Sequence, residues 1–271
     1  MKLYNTPNGL VLERDGAFDS LGSLSLDRLL TSEAALDLIE ASRSGATAQP
    51  TQLLAPVGSQ EVWAAGVTYY RSRTARMQES ANSGGADFYD NVYSAERPEL
   101  FFKANPHHVV GPGAAVRIRK DSKWNVPEPE LTLCVSKAGT ILGYTVGNDV
   151  SSRDLEGENP LYLPQAKTYD QACALGPCIL LGEQSVGPDT QISIRIVRAG
   201  TIVFEGKTAL EQMKRAPREL VAFLTRENSF PYGAFLMTGT GIVPSNDFSL
   251  ASGDEVSITI DAIGTLTNPV A

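Results

Sequence analysis

Two glutamates separated by a single residue carry the clearest chemical signal in this 271-residue sequence. Glu128 and Glu130 lie in the run Val-Pro-Glu-Pro-Glu-Leu-Thr-Leu at 126–133. In an extended chain alternate side chains share a face, so both carboxylates are expected to point in one direction. Such a pair is repulsive unless a divalent cation lies between the carboxylates. The alternative, a solvated strand edge protected by acidic residues, is the commoner reason for an isolated Glu-x-Glu.

The composition limits which metal sites and nucleophiles the chain can build. Only two histidines are present, His107 and His108, and the three cysteines have neither zinc-knuckle nor Cys-x-x-Cys spacing. A histidine-based zinc site and a Ser-His-Asp triad are therefore excluded. Any metal is expected to be held by oxygen ligands.

The elements that position these residues are predicted to be mainly strands. Short β-branched runs alternate with turns that draw on 24 glycines and 16 prolines. The predicted strands cover 115–119, 131–136, 140–146, 179–181, 191–198, 201–205, 234–238 and 255–260. The dipeptide Ala199-Gly200 predicts a tight hairpin turn between two of these strands.

Helices are predicted to be few and to lie outside the strand-rich core. One covers 32–44, with Ser32 as N-cap and Gly45 as its stop, and one covers 217–227, beginning at Pro217. A third, over 69–80, has few apolar residues and is predicted to be either a lid over a ligand or an ordinary solvated helix. A linker at 49–58 divides the chain into a small N-terminal domain, residues 1–57, and a main domain, residues 58–271.

The charge of the chain argues against polyanionic partners. Lys and Arg number 23 against 31 Asp and Glu, for a net charge of −8, whereas nucleic-acid binding relies on clustered basic residues. No stretch approaches the roughly 20 apolar residues of a membrane span, and the N-terminus lacks an apolar leader segment. We expect a cytoplasmic protein with a small-molecule partner, and neither nucleic-acid nor membrane binding.

An ordered set of motifs resembles the fumarylacetoacetate hydrolase family. In chain order they are Gly-Val-Thr-Tyr at 66–69, Arg-Pro-Glu-Leu-Phe-Phe-Lys at 97–103, Val-Val-Gly-Pro-Gly at 109–113, Glu-Pro-Glu-Leu at 128–131, Gly-Tyr at 143–144, Asn-Asp at 148–149, Lys167, Leu-Gly-Pro at 175–177 and Thr-Gly-Thr-Gly at 238–241. Each motif alone is weak, but the ordered set is specific. The resemblance extends from about residue 57 to the C-terminus.

The resemblance implies a fold, a metal and a set of ligands. The expected fold class is α+β, mainly β, with the family's mixed β-roll after the small N-terminal domain, and the expected assembly is a homo-oligomer. By resemblance, Glu128, Glu130 and Asp149 bind Mg²⁺ or Mn²⁺, and Lys167 reaches into the metal site. Three carboxylates with no nearby histidine or thiolate suit such a hard cation.

The sequence departs from the hydrolytic members of the family at the residues that activate water. Those members carry a His–Glu pair in the lid segment, and the corresponding positions here are Ser72 and Ala75. A glutamine of the family is replaced by Glu156. Without a general base for water, hydrolysis of a carbon–carbon bond is not expected.

At these positions the sequence resembles a branch of the family that dehydrates 2-keto-3-deoxy sugar acids. The resemblance implies conversion of 2-keto-3-deoxy-D-arabinonate to 2,5-dioxopentanoate. This reaction suits the residues present, because a chelated 2-keto acid has an acidic C3 methylene and the elimination needs no attacking water. Glu99 is the candidate base and Lys167 the candidate proton donor or enolate stabiliser, although these roles could be reversed. Arg71 and Thr240 are candidate ligands for the substrate carboxylate.

Two other functions remain open at this point. A hydrolase, decarboxylase or tautomerase of an acylpyruvate or of oxaloacetate would need the same enolate. A protein that only binds a metabolite or metal through a degenerate site would need none of the catalytic groups. The presence of the three acids and Lys167 argues against the second alternative.

Overall fold

A computed structural model describes residues 1–72 and 91–271 of the chain. Most of the predicted helix at 69–80, and with it the proposed lid, lies outside these residues. The described part is mainly β, as predicted, and contains 17 strands. In chain order they are β1 Lys2–Thr6, β2 Gly9–Arg14, β3 Ala17–Ser20, β4 Gly45–Ala46, β5 Glu61–Gly66, β6 Glu99–Ala104, β7 Val109–Val110, β8 Asn125–Val126, β9 Pro129–Val135, β10 Ile141–Asp149, β11 Ser151–Ser152, β12 Cys173–Leu181, β13 Gln191–Arg198, β14 Thr201–Ala209, β15 Ala234–Met237, β16 Glu255–Ile260 and β17 Gly264–Pro269.

Five short α-helices that connect or flank these strands lie wholly within the described residues. They are α1 Leu26–Thr31, α2 Ala35–Ala41, α3 Arg153–Glu158, α4 Leu163–Lys167 and α5 Pro217–Leu224. The last begins at the predicted proline, which is favoured in the first turn of a helix because its missing N–H is not needed there. Its buried face is formed by Leu220, Val221 and Leu224.

The predicted helix over 32–44 is wrong in extent. Ser32 is the C-cap of α1, donating its N–H to Leu29 O, and its hydroxyl accepts the N–H of Ala34. Ser32 therefore stops one helix, and α2 begins at Ala35 without a side-chain cap. The preceding helix α1 was not predicted, although Ser25 caps it through the N–H of Arg28.

A large mixed sheet forms the centre of the fold. Ten strands follow one another in the order β4-β3-β2-β1-β12-β10-β9-β15-β5-β6, and β7 pairs with β12. Most pairs are antiparallel, but β15 with β5 and β12 with β7 are parallel. The N-terminal strands join this sheet through the antiparallel pairing of β1 with β12. The domain boundary at residue 57 stays a prediction.

A second, four-stranded sheet has the order β14-β13-β16-β17. The predicted hairpin between β13 and β14 is confirmed: Ala199 and Gly200 have φ of 48° and 78°, as a tight hairpin turn requires. The strand predicted over 115–119 is wrong, because only Val116 pairs there, in an isolated bridge with Val270.

The hydrophobic core lies on both faces of the large sheet. One cluster packs it against the second sheet and includes Leu131, Leu133 and Ile194. The other packs its opposite face against α1 and α2 and includes Leu29, Cys134 and Phe235. Strands in the middle of the large sheet are therefore buried on both sides, and every residue of β9 is buried.

Candidate metal and substrate site

The register of β9 and β10 brings the three predicted acids together. Gly147 lies opposite Glu130, and the N–H of Asp149 donates to Glu128 O at 3.0 Å. One carboxylate oxygen from each of Glu128, Glu130 and Asp149 lies within 4.8 Å of the other two. The expectation that the two glutamates point in one direction is therefore met. All three side chains are buried, so this is not a solvated strand edge.

Lys167 brings positive charge to this acidic cluster from the end of α4. Its ammonium nitrogen lies 2.7 Å from Glu128 Oε2, 3.0 Å from Asp149 Oδ2 and 2.6 Å from Ser151 Oγ. It also forms an ion pair with Glu156 Oε1 at 3.3 Å. A lysine this deeply buried is stable as an ammonium only beside carboxylates, and these carboxylates supply that environment.

Helix α3 adds a second layer of buried charge behind Glu128. Arg153 Nη2 donates to Glu128 Oε1 at 2.7 Å, and Arg153 Nε lies 3.8 Å from Glu156 Oε2. A further buried lysine, Lys103, forms an ion pair with Asp149 Oδ1 at 2.5 Å. The described site thus holds four buried carboxyl groups and three buried basic groups.

Among the three acids, Glu130 is the one that has no basic partner within ion-pair distance in the described residues. Its Oε2 accepts the N–H of Gly239 at 2.6 Å, and no lysine, arginine or histidine of the described residues lies within ion-pair distance. Burial, and then the charges of Asp149 and Glu128, raise the pKa of Glu130 well above its usual value. A divalent cation at the cluster would relieve this repulsion.

The cavity beside the acids matches a single small ligand. It has a volume of about 20 Å³, enough for one water-sized species. Its lining includes all three acids, Lys167 and Arg153. A hard divalent cation that prefers carboxylate oxygens fits this donor set and this space. A five-carbon acid is larger than this space.

The remaining predicted residues differ in their distance from this cavity. Thr240 is buried and lines it, with its hydroxyl in contact with the backbone of Ile242 at 3.2 Å. Glu99 lies directly over Gly66, another lining residue, and a side chain at Gly66 would collide with the Glu99 carboxylate. Arg71 is exposed and lines a neighbouring cavity of about 460 Å³, outside the cavity of the acids.

Sequence reasoning missed three polar residues of the site. They are Lys103, Ser151 and Arg153, all buried and all in contact with an acid or with Lys167. Lys103 did leave a signal, because it is the single charged residue in the apolar run Leu-Phe-Phe-Lys-Ala of β6. Glu156 was recognised as a departure from the family but not as a site residue.

Comparison with known proteins identifies the family. The model of the fumarylacetoacetate (FAA) hydrolase C-terminal domain matches residues 62–271. The chain belongs to the fumarylacetoacetate hydrolase family. This confirms the resemblance inferred from the motifs, and the mixed fold described above is the fold of the family's solved members.

Two curated members of the family are similar over most of their length. A protein named as a probable 2-keto-3-deoxyxylonate dehydratase from Haloferax volcanii is 51% identical over 216 residues, covering 79% of this chain and 73% of the relative. The 2-dehydro-3-deoxy-D-arabinonate dehydratase of Saccharolobus solfataricus is 46% identical over 217 residues, with the same coverage of 79% and 73%.

A solved structure of the family is similar over its whole length. It is a 2-keto-3-deoxy-D-arabinonate dehydratase complexed with magnesium and 2,5-dioxopentanoate. It superposes with a TM-score of 0.86 at 36% identity, covering 100% of this chain and 98% of that one.

In the part of the chain that the structure describes, no helix is long and apolar enough to cross a membrane.

Proposed function

We propose that this chain is a Mg²⁺-dependent dehydratase of a 2-keto-3-deoxy sugar acid, with 2-keto-3-deoxy-D-arabinonate as substrate and 2,5-dioxopentanoate and water as products. The observation that carries the proposal is the buried acidic cluster facing the ammonium of Lys167, in a cavity whose described lining contains no histidine. This site can hold a cation and move a proton, but it offers no histidine base for water. The similarity to two dehydratases supports the same reaction.

Glu128, Glu130 and Asp149 are proposed to hold the metal, which is Mg²⁺, or Mn²⁺ as a substitute. When bound, Mg²⁺ supplies Lewis-acid charge for the keto and carboxylate oxygens of a 2-keto acid, which makes the C3 protons more acidic. Lys167 and Arg153 orient Glu128, because each donates to one of its two oxygens.

Glu99 and Lys167 are proposed to carry the proton transfers. Glu99, on the strand that borders Gly66, removes a proton from C3, and the ammonium of Lys167 protonates the departing C4 hydroxyl or stabilises the enolate. The C3–H and C4–O bonds break, a C3=C4 bond forms and water leaves. A hydrogen then shifts from C5 to C3, and the resulting enol becomes the C5 aldehyde.

Two residues are proposed to bind the substrate carboxylate. Thr240 lies in the cavity wall beside the backbone N–H of Gly239, which already donates to Glu130. Arg71, exposed in the neighbouring cavity that Gly241 also lines, is proposed to contact the carboxylate as the substrate enters.

The reaction is tested by direct product analysis. The purified chain is incubated with 2-keto-3-deoxy-D-arabinonate, with Mg²⁺ or with a chelator, and 2,5-dioxopentanoate is measured. We expect product only with the metal. Oxaloacetate and an acylpyruvate are assayed in parallel, because turnover of these acids alone would favour the tautomerase or hydrolase alternative. No product from the sugar acid under any condition would refute the proposal.

We also propose that the enzyme is a cytoplasmic homo-oligomer. Strand β14 supports assembly, because β13 is its one neighbour among the described strands and it exposes Ile202 and Val203. An analytical ultracentrifugation run that gives the mass of a single chain would contradict this part of the proposal.

A further inference from the structure

Lys103 is a second buried ammonium beside the site, and its surroundings differ from those of Lys167. It lies on β6 with 1% of its surface exposed. Lys167 lines the cavity of the acids, whereas Lys103 is absent from the described lining. Burying a charge this deeply is costly unless its partners are well placed, so the position calls for a specific role.

Three oxygens surround the Lys103 ammonium. It donates to Val150 O at 3.0 Å and to Lys167 O at 2.6 Å, and it lies 2.5 Å from Asp149 Oδ1 in a close ion pair. The two carbonyl oxygens accept hydrogen bonds from the ammonium, and the contact with Asp149 is an ion pair. Lys103 is thus engaged by protein groups, and it is not placed to donate to a substrate.

These contacts join β6 to the end of β10 and to the end of α4. Asp149 ends β10, Val150 follows it, and Lys167 is the last residue of α4. The carbonyl oxygen of Lys167 is one of the terminal helix carbonyls that need a donor from outside the helix, and Lys103 provides it. Thr168 strengthens the same link through its hydroxyl, which donates to Phe102 O on β6 at 3.2 Å.

The two lysines also divide the Asp149 carboxylate between them. Lys103 contacts Oδ1 and Lys167 contacts Oδ2. With one ammonium beside each oxygen, the two lysines together fix the orientation of the carboxylate.

We propose that Lys103 is the positioning residue of this site: it orients Asp149 as a metal ligand and holds the backbone of Lys167, so that one buried ammonium aligns both the metal site and the proton donor. The proposal rests on the metal-dependent function proposed above. Groups that orient metal ligands typically contribute 10- to 100-fold to metal affinity or activity.

The test compares Mg²⁺ affinity and turnover in Lys103→Met, in Lys103→Gln and in the control Lys137→Met, which removes an exposed lysine just after β9. Calorimetric titration is expected to show Mg²⁺ affinity about 10- to 100-fold weaker in both Lys103 variants and unchanged in the control. At saturating Mg²⁺, kcat is expected to fall while KM changes little, because Lys103 does not contact the substrate.

A purely structural role makes a different prediction. It would lower the melting temperature but leave the Mg²⁺ affinity of the folded variant within twofold of wild type, and that result would overturn the proposal. Failure of both Lys103 variants to fold would overturn it as well, in favour of a structural role. If the wild-type chain binds Mg²⁺ but does not dehydrate the sugar acid, the proposed function fails, whereas the affinity comparison still decides the role of Lys103.

Discussion

The two larger sheets of the described residues bury their side chains in different ways. All seven residues of β9 are buried, because core packs on both faces of the large sheet. On β13 the residues alternate, with Ile192, Ile194 and Ile196 in the core and Ser193 and Arg195 facing a groove. A polar residue on β13 needs no special explanation, whereas Glu130 within β9 is costly and points to function.

The larger cavity lies on the second sheet and not at the buried acids. The groove on the second sheet has a volume of about 780 Å³, but its lining is mainly Ser and Thr hydroxyls with exposed charges. The cavity at the acids has a volume of only about 20 Å³. Buried and mutually compensating charge, rather than volume, therefore identifies the candidate site.

The largest expected effect comes from removing the ammonium that faces the acids. Lys167→Met is expected to lower kcat by about 10²- to 10⁴-fold, the usual contribution of a general acid or base. The measurement is product formation at saturating Mg²⁺, with Lys137→Met as the exposed control. Near-normal kcat in Lys167→Met would show that this region is not the active site.

A core residue of the second sheet is expected to affect stability alone. Ile196→Ala, at a fully buried position of β13, should destabilise the fold by about 2–5 kcal/mol in a denaturant titration. The kcat of the folded variant should match the wild type. A loss of kcat in fully folded protein would show that the two regions are not as separate as we argue.

The pH dependence of metal binding follows from the raised pKa of Glu130. The proposed ligand is the carboxylate, so Mg²⁺ should compete with the proton, and its affinity should increase as the pH rises through the raised pKa. Calorimetry at mildly acidic and mildly alkaline pH tests this. Equal affinity at both would contradict the assignment of Glu130 as a ligand.

The neutral isostere of Glu130 is expected to separate stability from function. A raised pKa means that the fold favours the uncharged side chain, and this stabilisation is lost as the pH rises through the folded-state value. Without metal at neutral pH, Glu130→Gln should therefore melt at the same temperature as wild type or higher. Its increase in melting temperature on addition of Mg²⁺ should disappear, whereas in wild type it is retained.

The smallest effect is expected in the groove of the second sheet. Thr259→Val removes a hydroxyl that pairs with Thr265 Oγ1 at 2.8 Å but keeps the β-branched shape. The unfolding free energy should change by no more than about 0.5 kcal/mol, with kcat and KM unchanged. A clear change in KM would mean that the groove contacts the substrate.

The site residues that could be predicted from strand geometry are those close together in the sequence. Glu128 and Glu130 are two residues apart in an extended segment, so their common direction follows from strand geometry. The alternation of β13 and the turn at Ala199-Gly200 are equally local, and both were predicted. The assignment of Asp149 and Lys167 to the same site came from the family motifs and not from local spacing.

The missed part depends on contacts between distant segments. Lys103 lies 46 residues before Asp149 and 64 before Lys167, and only the strand order brings β6 to the end of α4. Strands such as β1 and β5 were missed because their runs lack strong alternation, and their pairing in the large sheet stabilises them. The strand predicted at 115–119 failed for the converse reason, since it finds one bridge and no neighbouring strand.

The buried acids Glu128, Glu130 and Asp149 are proposed to hold a divalent cation. This is tested by a calorimetric titration of Mg²⁺ into wild type, Glu128→Gln and Thr259→Val, followed by a dehydration assay on each. We expect one Mg²⁺ per chain and metal-dependent turnover in wild type and Thr259→Val, with both lost in Glu128→Gln. Unchanged Mg²⁺ binding and turnover in Glu128→Gln would contradict the proposal.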